Sequence, residues 1–278
     1  TIMAALVTLA PKLTVVVAGT AQTPEALLPG AENCATPVRV TRMAPEECPK
    51  LPKEENASLV KVSGGTLLEM IKKTSFAIST DETRYILNGV FFEPKEGGRV
   101  RMVATDGHRL ALIEREIPGD FKLKSGVIIP RKGLFELKRL LEEAPEAECQ
   151  LGFAENSALF KKPGLSMVMR LIDGQFPEYQ RVIPKEGEKQ LLISRTRLFE
   201  SLKRICLLSA DKSNAVKLSL GENQLRITAN NPDLGEAKDD LEVAYRGAAL
   251  TVGFNARYLL DVLSVVESDE VAFEANVF

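Results

Sequence analysis

The sequence predicts an α+β fold built from a repeated unit, each unit carrying two helices and a set of antiparallel strands. Two observations predict it. A helical segment recurs: Leu67-Leu68-Glu69-Met70-Ile71-Lys72-Lys73 is echoed by Leu198-Phe199-Glu200-Ser201-Leu202-Lys203-Arg204, with a shorter relative in Leu134-Phe135-Glu136-Leu137-Lys138-Arg139. A strand-and-turn segment recurs as well, Arg101-Met102-Val103-Ala104-Thr105-Asp106-Gly107 against Arg226-Ile227-Thr228-Ala229-Asn230-Asn231-Pro232. Self-similarity of whole segments in one chain is the mark of a duplicated structural unit.

Each element follows from its pattern. At about 100° per residue, Leu67, Leu68, Ile71 and Ile78 share one face of the first helix, with Glu69, Lys72 and Lys73 opposite. In the later copy Leu198, Phe199, Leu202, Ile205 and Cys206 share a face, and Glu200, Lys203 and Arg204 oppose it. The strand-like runs are short, apolar and closed by turn residues. Each is followed, after further strand-like sequence, by a second helix, at 131–143 and at 255–267. The order helix, strands, helix, strands therefore occurs twice, over about 58–184 and from about 188 onward. Before residue 58 the chain changes character, and Pro45, Pro49 and Pro52 predict an irregular lead-in. The expected units are 1–56, a remnant of an earlier unit plus linker; 57–185, a middle unit; and 186–278, a last unit that stops one strand after its second helix.

Composition narrows the function. Of 278 residues, 45% are hydrophobic and 27% charged, which excludes a disordered, collagenous or coiled-coil chain. The net charge of −2 means that any nucleic-acid role needs its basic groups gathered on one surface. The cysteines at 34, 48, 149 and 206 include no Cys-x-x-Cys pair, so neither a zinc ribbon nor a redox motif is expected. The apolar run 2–19 is broken by Pro11 and Lys12 and is shorter than the roughly 20 residues of a membrane span. It reads as folded core of a cytoplasmic protein with no membrane partner.

Catalytic chemistry has little to stand on. His108 is the single histidine. Asp106 beside it offers one carboxylate, too few groups for a common metal set. No nucleophile elbow, phosphate-binding loop or dinucleotide fingerprint is present. No catalytic residue, metal or cofactor is assigned; Asp106-Gly107 reads as a tight turn that presents His108 and Arg109. The helical basic pairs are more informative. Lys and Arg on a solvated helix face neutralise phosphate without reading sequence, and basic pairs on three helices suggest a common basic lining. The segment Leu171-Ile172-Asp173-Gly174-Gln175-Phe176-Pro177-Glu178-Tyr179-Gln180-Arg181-Val182-Ile183-Pro184 joins the two units. Two arrangements fit it: an aromatic binding groove, or a connector packing its own Phe and Tyr.

These segments carry a resemblance. Ala104-Thr105-Asp106-Gly107-His108-Arg109-Leu110-Ala111 and the connector 171–184 resemble signatures of the bacterial DNA polymerase III β-clamp family. Asn88-Gly89, Pro130-Arg131-Lys132-Gly133, Thr228-Ala229-Asn230-Asn231-Pro232 and Gly253-Phe254-Asn255 fit it in the same order, so the likeness covers about 58–278. The resemblance implies repeated DNA-clamp domains, two helices lining a channel with antiparallel sheets outside, in a homodimeric ring around duplex DNA. It implies a processivity factor, not an enzyme. Channel positions matching the family are Arg84, Tyr85, Arg131 and Lys132; the helical faces extend these to Lys72, Lys73, Lys138, Arg139, Lys203 and Arg204. A groove for short apolar peptides of DNA polymerases, the clamp loader and repair proteins is implied at Leu87, Thr105, Gly107, His108, Arg109, Leu110, Pro177, Arg181, Val182, Asn255 and Tyr258. Leu207 and Leu208 match dimer-interface positions. The alternative is a specialised copy of the clamp with other partners or a drug-resistance role. Residues 1–56 match poorly, apart from Pro45-Glu46-Glu47-Cys48-Pro49, and the family's final strands are missing from the sequence, so both ends are expected to be incomplete.

Overall fold

The computed structural model describes residues 58–123, 125–154, 156–183, 190–208 and 214–274. The first-unit remnant expected over 1–56, with Cys34 and Cys48, lies outside the described residues.

The middle unit begins with β1 (Val60–Ser63) and α1 (Gly64–Ser75), then a 3₁₀ segment (Glu82–Leu87). Strands β2 (Gly89–Lys95), β3 (Arg99–Thr105), β4 (Leu110–Glu116) and β5 (Val127–Pro130) follow, then α2 (Arg131–Glu142), β6 (Glu148–Ala154), β7 (Ser157–Lys162) and β8 (Leu165–Arg170). The last unit repeats the order with β9 (Gln190–Ser194), α3 (Arg195–Cys206), β10 (Ala215–Gly221), β11 (Gln224–Asn231), β12 (Gly235–Glu242), β13 (Leu250–Asn255), α4 (Ala256–Val265) and β14 (Glu270–Glu274). The sheets make the repeat explicit. Order β4-β3-β2-β5 in one unit is matched by β12-β11-β10-β13 in the other, all antiparallel. The second sheet of the middle unit is β1-β6-β7-β8, and its counterpart among the described residues is the pair β9-β14.

Local chemistry places the helices. Ser63 and Ser194 stand at the same point of the two units, each accepting a hydrogen bond at 3.5 Å, from the Thr66 and Arg197 N–H. Asn255 caps α4 through Arg257 N–H at 2.9 Å. Helix α2 opens after Pro130, whose fixed φ suits the entry, with no side-chain cap.

Each unit has its own core. In the middle one Leu67, Met70, Ile71, Leu134, Leu137 and Leu141 of the helices meet Phe92, Met102, Leu151 and Phe160 of the sheets. In the last one Leu198, Leu202 and Ile205 meet Val216, Ile227 and Leu263. Ile78, expected on the first helical face, is buried in the core but lies beyond the end of α1. The helices pack as one continuous layer, α2 on α1, α1 on α4, α4 on α3. α2 and α4 are counterparts in the repeat, yet α4 has no basic residue in its last turn, so the basic pair of α2 is not repeated there.

Candidate nucleic-acid face and partner groove

The connector packs its own aromatics. Phe176 and Tyr179 are buried and share a cluster with Leu87, Val103 and Ile128. Phe176 stacks on Phe91 with ring centroids 4.8 Å apart and planes at 5°. Alternation along β2 sends Phe92 into the main core and Phe91 to the opposite face. The connector therefore lies on the face of the sheet that turns away from the helices. The Tyr179 hydroxyl donates to Glu93 and accepts from Arg101 at 3.2 Å. Burial, then the Glu93 carboxylate, pushes the Tyr179 phenol up. Pro177, Arg181 and Val182 stay on the surface, and Arg181 pairs with Glu178.

At the end of β3 the chain turns tightly. Asp106 accepts from the N–H groups of His108 at 2.9 Å and Arg109 at 3.0 Å, while Gly107 has φ +90°, a conformation costly for other residues. This aims His108 and Arg109 at α4. The His108 ring stacks on Tyr258 with centroids 6.5 Å apart, and the Arg109 guanidinium lies 4.5 Å above the Tyr258 ring. Arg109 also donates to Asp106 Oδ2 at 3.0 Å, Asp261 Oδ2 at 2.6 Å and the Phe76 carbonyl at 2.7 Å. Arg109, expected as a groove side chain, is a rivet between the two units. Asn255 is occupied as a cap. Thr105 closes the turn, accepting from Gly107 N–H at 3.1 Å and donating to the Arg109 carbonyl at 2.6 Å. Leu87 is buried in the connector cluster, and Leu110 packs against it. The expected groove residues thus fall into three groups: a turn-and-α4 group, an apolar pair packed in the connector cluster, and the surface residues of the connector.

Between the units lies a concavity of about 1080 Å³. Lys72, Lys73, Arg84, Arg131, Lys138, Arg257, His108 and Tyr258 all line it. The basic pairs, expected to face solvent together, are split by carboxylates. Lys73 pairs with Glu69, which also takes Arg115 in two hydrogen bonds; the Arg115 interaction leads in pulling the Glu69 carboxyl down to about 2. Arg139 lies between Glu136 at 3.1 Å and Glu143 at 3.2 Å. Arg204 reaches Asp239 at 2.6 Å and holds that carboxyl below its ordinary value. Lys72 meets Glu142 at 3.4 Å, and Arg84 stands 3.7 Å from Asp81. Arg131 covers Phe135 at 5.2 Å. Among the described residues Lys132, Lys138 and Lys203 have no ion-pair partner, and Lys132 and Lys203 are exposed. Tyr85 is 58% exposed, with its ring 3.8 Å from where a side chain on Gly174 would begin. Leu207, at the end of α3, is 80% exposed and Leu208 half-buried. Sequence reasoning missed Arg257, Phe76 and Asp261; Asp261, three residues after Tyr258 on one helix face, was the one with a readable signal.

The comparisons agree with this architecture. The family description "DNA polymerase III beta subunit, central domain" matches residues 61–178, and "DNA polymerase III beta subunit, C-terminal domain" matches 180–276. A protein named "Beta sliding clamp" from Caulobacter vibrioides is 40% identical over 220 residues, 78% of this chain and 59% of that protein. One of the same name from Escherichia coli is 39% identical over 206 residues, 74% of this chain and 56% of that protein. This chain thus spans somewhat under three-fifths of the length of these relatives. Among solved structures, a Pseudomonas aeruginosa sliding clamp (DNA polymerase III subunit beta) bound to griselimycin superposes with TM-score 0.79 at 34% identity, covering 85% of this chain and 64% of that one. A C. crescentus beta sliding clamp, with PEG bound to a putative beta-motif tethering region, gives 0.78 at 37% identity, covering 84% and 64%. With a doubled unit of two helices and antiparallel sheets, and with both units matched in order, the chain belongs to the DNA polymerase III beta subunit family, the beta sliding clamps.

Proposed function

We propose that this chain serves as a sliding clamp, a homodimeric ring around duplex DNA in the cytoplasm that tethers DNA polymerases, the clamp loader and repair proteins without catalysis of its own. The observation that carries the proposal is the continuous helix layer α2–α1–α4–α3, on which Lys132, Lys138 and Lys203 have no carboxylate partner among the described residues. Such a layer offers mobile, sequence-blind charge to phosphates. Local pairing of Lys73, Arg139 and Arg204 keeps the field moderate, which suits sliding better than tight binding. Arg84, Tyr85, Arg131 and Lys72 complete the DNA face. Partner peptides are read by the expected groove residues, the stacked His108 and Tyr258 at the turn and the exposed Pro177, Arg181 and Val182 of the connector, which overlies Leu87 and Leu110. Leu207 and Leu208 belong to the subunit interface. The chain is divided as 57–185 and 186–278, with 1–56 preceding.

The test is topological. The protein is loaded on nicked circular DNA, and retention is followed before and after linearisation. Retention on the circle and loss from free ends is expected; equal retention on both forms overturns the encircling mode.

A further inference from the structure

We propose that Asp261 is a positioning residue for the peptide site: it holds the Arg109 guanidinium across the boundary between the units and so fixes the surface made by His108 and Tyr258. The inference rests on the groove reading above and deepens it.

The Asp106 turn is self-sufficient. Its hydrogen bonds to His108 and Arg109 N–H, together with those of Thr105, all lie within the β3–β4 connection. Asp106 also takes Arg109 Nε, and Phe76, at the end of α1, takes Nη2. Every one of these partners belongs to the middle unit. Asp261 supplies the hydrogen bond to Arg109 from the last unit, at 2.6 Å on Nη1. It stands three residues after Tyr258 on α4, so carboxylate and ring share one face of that helix and meet Arg109 as a pair. A charge-assisted bond to a planar guanidinium fixes direction as well as distance. With that bond in place the guanidinium lies over Tyr258 and Tyr258 lies beside His108. Without it the contact between α4 and the β3–β4 turn loosens, and the two rings lose their fixed stacking, with centroids 6.5 Å apart and planes at 21°. The side chains of Arg109 and Asp261 are 18% and 34% exposed, so water screens the pair only in part.

The experiment measures binding of a fluorescein-labelled hexapeptide carrying Leu and Phe anchors, together with hydrogen exchange of residues 256–265. Asp261→Asn is expected to weaken the peptide about tenfold and to speed exchange in α4, with the melting temperature nearly unchanged. Asp261→Glu restores part of the affinity. Arg109→Lys keeps the charge but loses the planar fork, including its bond to the Phe76 carbonyl, so it weakens binding at least tenfold, and adding Asp261→Asn to it costs far less than tenfold further. Asp261→Ser, which leaves every other Arg109 partner in place, reads that pair independently if Asp261→Asn folds poorly. Wild-type binding matched within twofold by Asp261→Asn, or effects of the two substitutions that multiply, overturn the positioning role and leave the groove reading standing. Failure of the wild type itself to bind overturns the groove reading, and this inference with it.

Discussion

At the residue scale the charges on the helices are mostly committed to local partners, and Glu69 shows how. It is bound by Arg115 from β4 and by Lys73 one turn along α1, and its carboxyl is held down at about 2 against an ordinary 4.5. A depressed folded-state value gives stability that is fully present above about 4.5 and lost as pH falls towards 2. Glu69→Gln is therefore expected to destabilise by about 1 kcal/mol at neutral pH, a figure kept small by partial exposure of the partners. Urea midpoints of the two proteins should converge as pH drops from 5 to 3; a gap that stays constant would remove Glu69 as the cause. Arg139 makes a related point about what a sequence shows. Its carboxylate partners lie three residues before and four after, so its neutralisation was readable from spacing alone. The partner of Arg204 is on β12, and no periodicity of α3 points to it.

At the element scale the connector decides how the two units are joined. Phe176 and Tyr179 are anchored on the face of β2 that carries Phe91, and Tyr179 meets both phenyl rings edge-on at 6.2 and 6.4 Å. Phe176→Ala removes a buried ring and is expected to cost about 3 kcal/mol. Limited proteolysis should then cut within 171–183 at protease levels that leave the wild type whole. Tyr179→Phe keeps the ring but removes its hydrogen bonds with Glu93 and Arg101, which retain Lys95 and Glu114, for a loss of about 1 kcal/mol in a urea titration. The helices themselves were legible, because amphipathic period and serine caps act within a few residues. The connector was not, since whether an aromatic is exposed or buried depends on what the sheet places under it. The sequence contains Phe91 but does not say which way it faces until β2 is registered against β3 and β5.

At the scale of the whole molecule, a net charge of −2 coexists with lysines on one layer of helices that have no carboxylate partner among the described residues. Charge reversal at Lys132 and Lys203 together is expected to weaken retention on circular DNA. It should also flatten the dependence of log affinity on log salt by about 0.9 for each phosphate no longer neutralised. An unchanged salt slope would remove both residues from the DNA face. The overall plan, a doubled unit with sheets and helices segregated, was visible in the repeated segments. The rivet at Arg109 was not, because its partner Asp261 is 152 positions further along and belongs to the other copy.

Among the described residues, two fastenings between the units lie on opposite sides of the β4-β3-β2-β5 sheet: the connector against one face and the Arg109 cluster on the helical side. A joint fastened on both sides of its neutral plane resists bending in the direction that would stretch either fastening, while twist about the line between them meets less opposition. Elastic compliance in this chain should therefore be directional, a stiff flexural mode beside a softer torsional one.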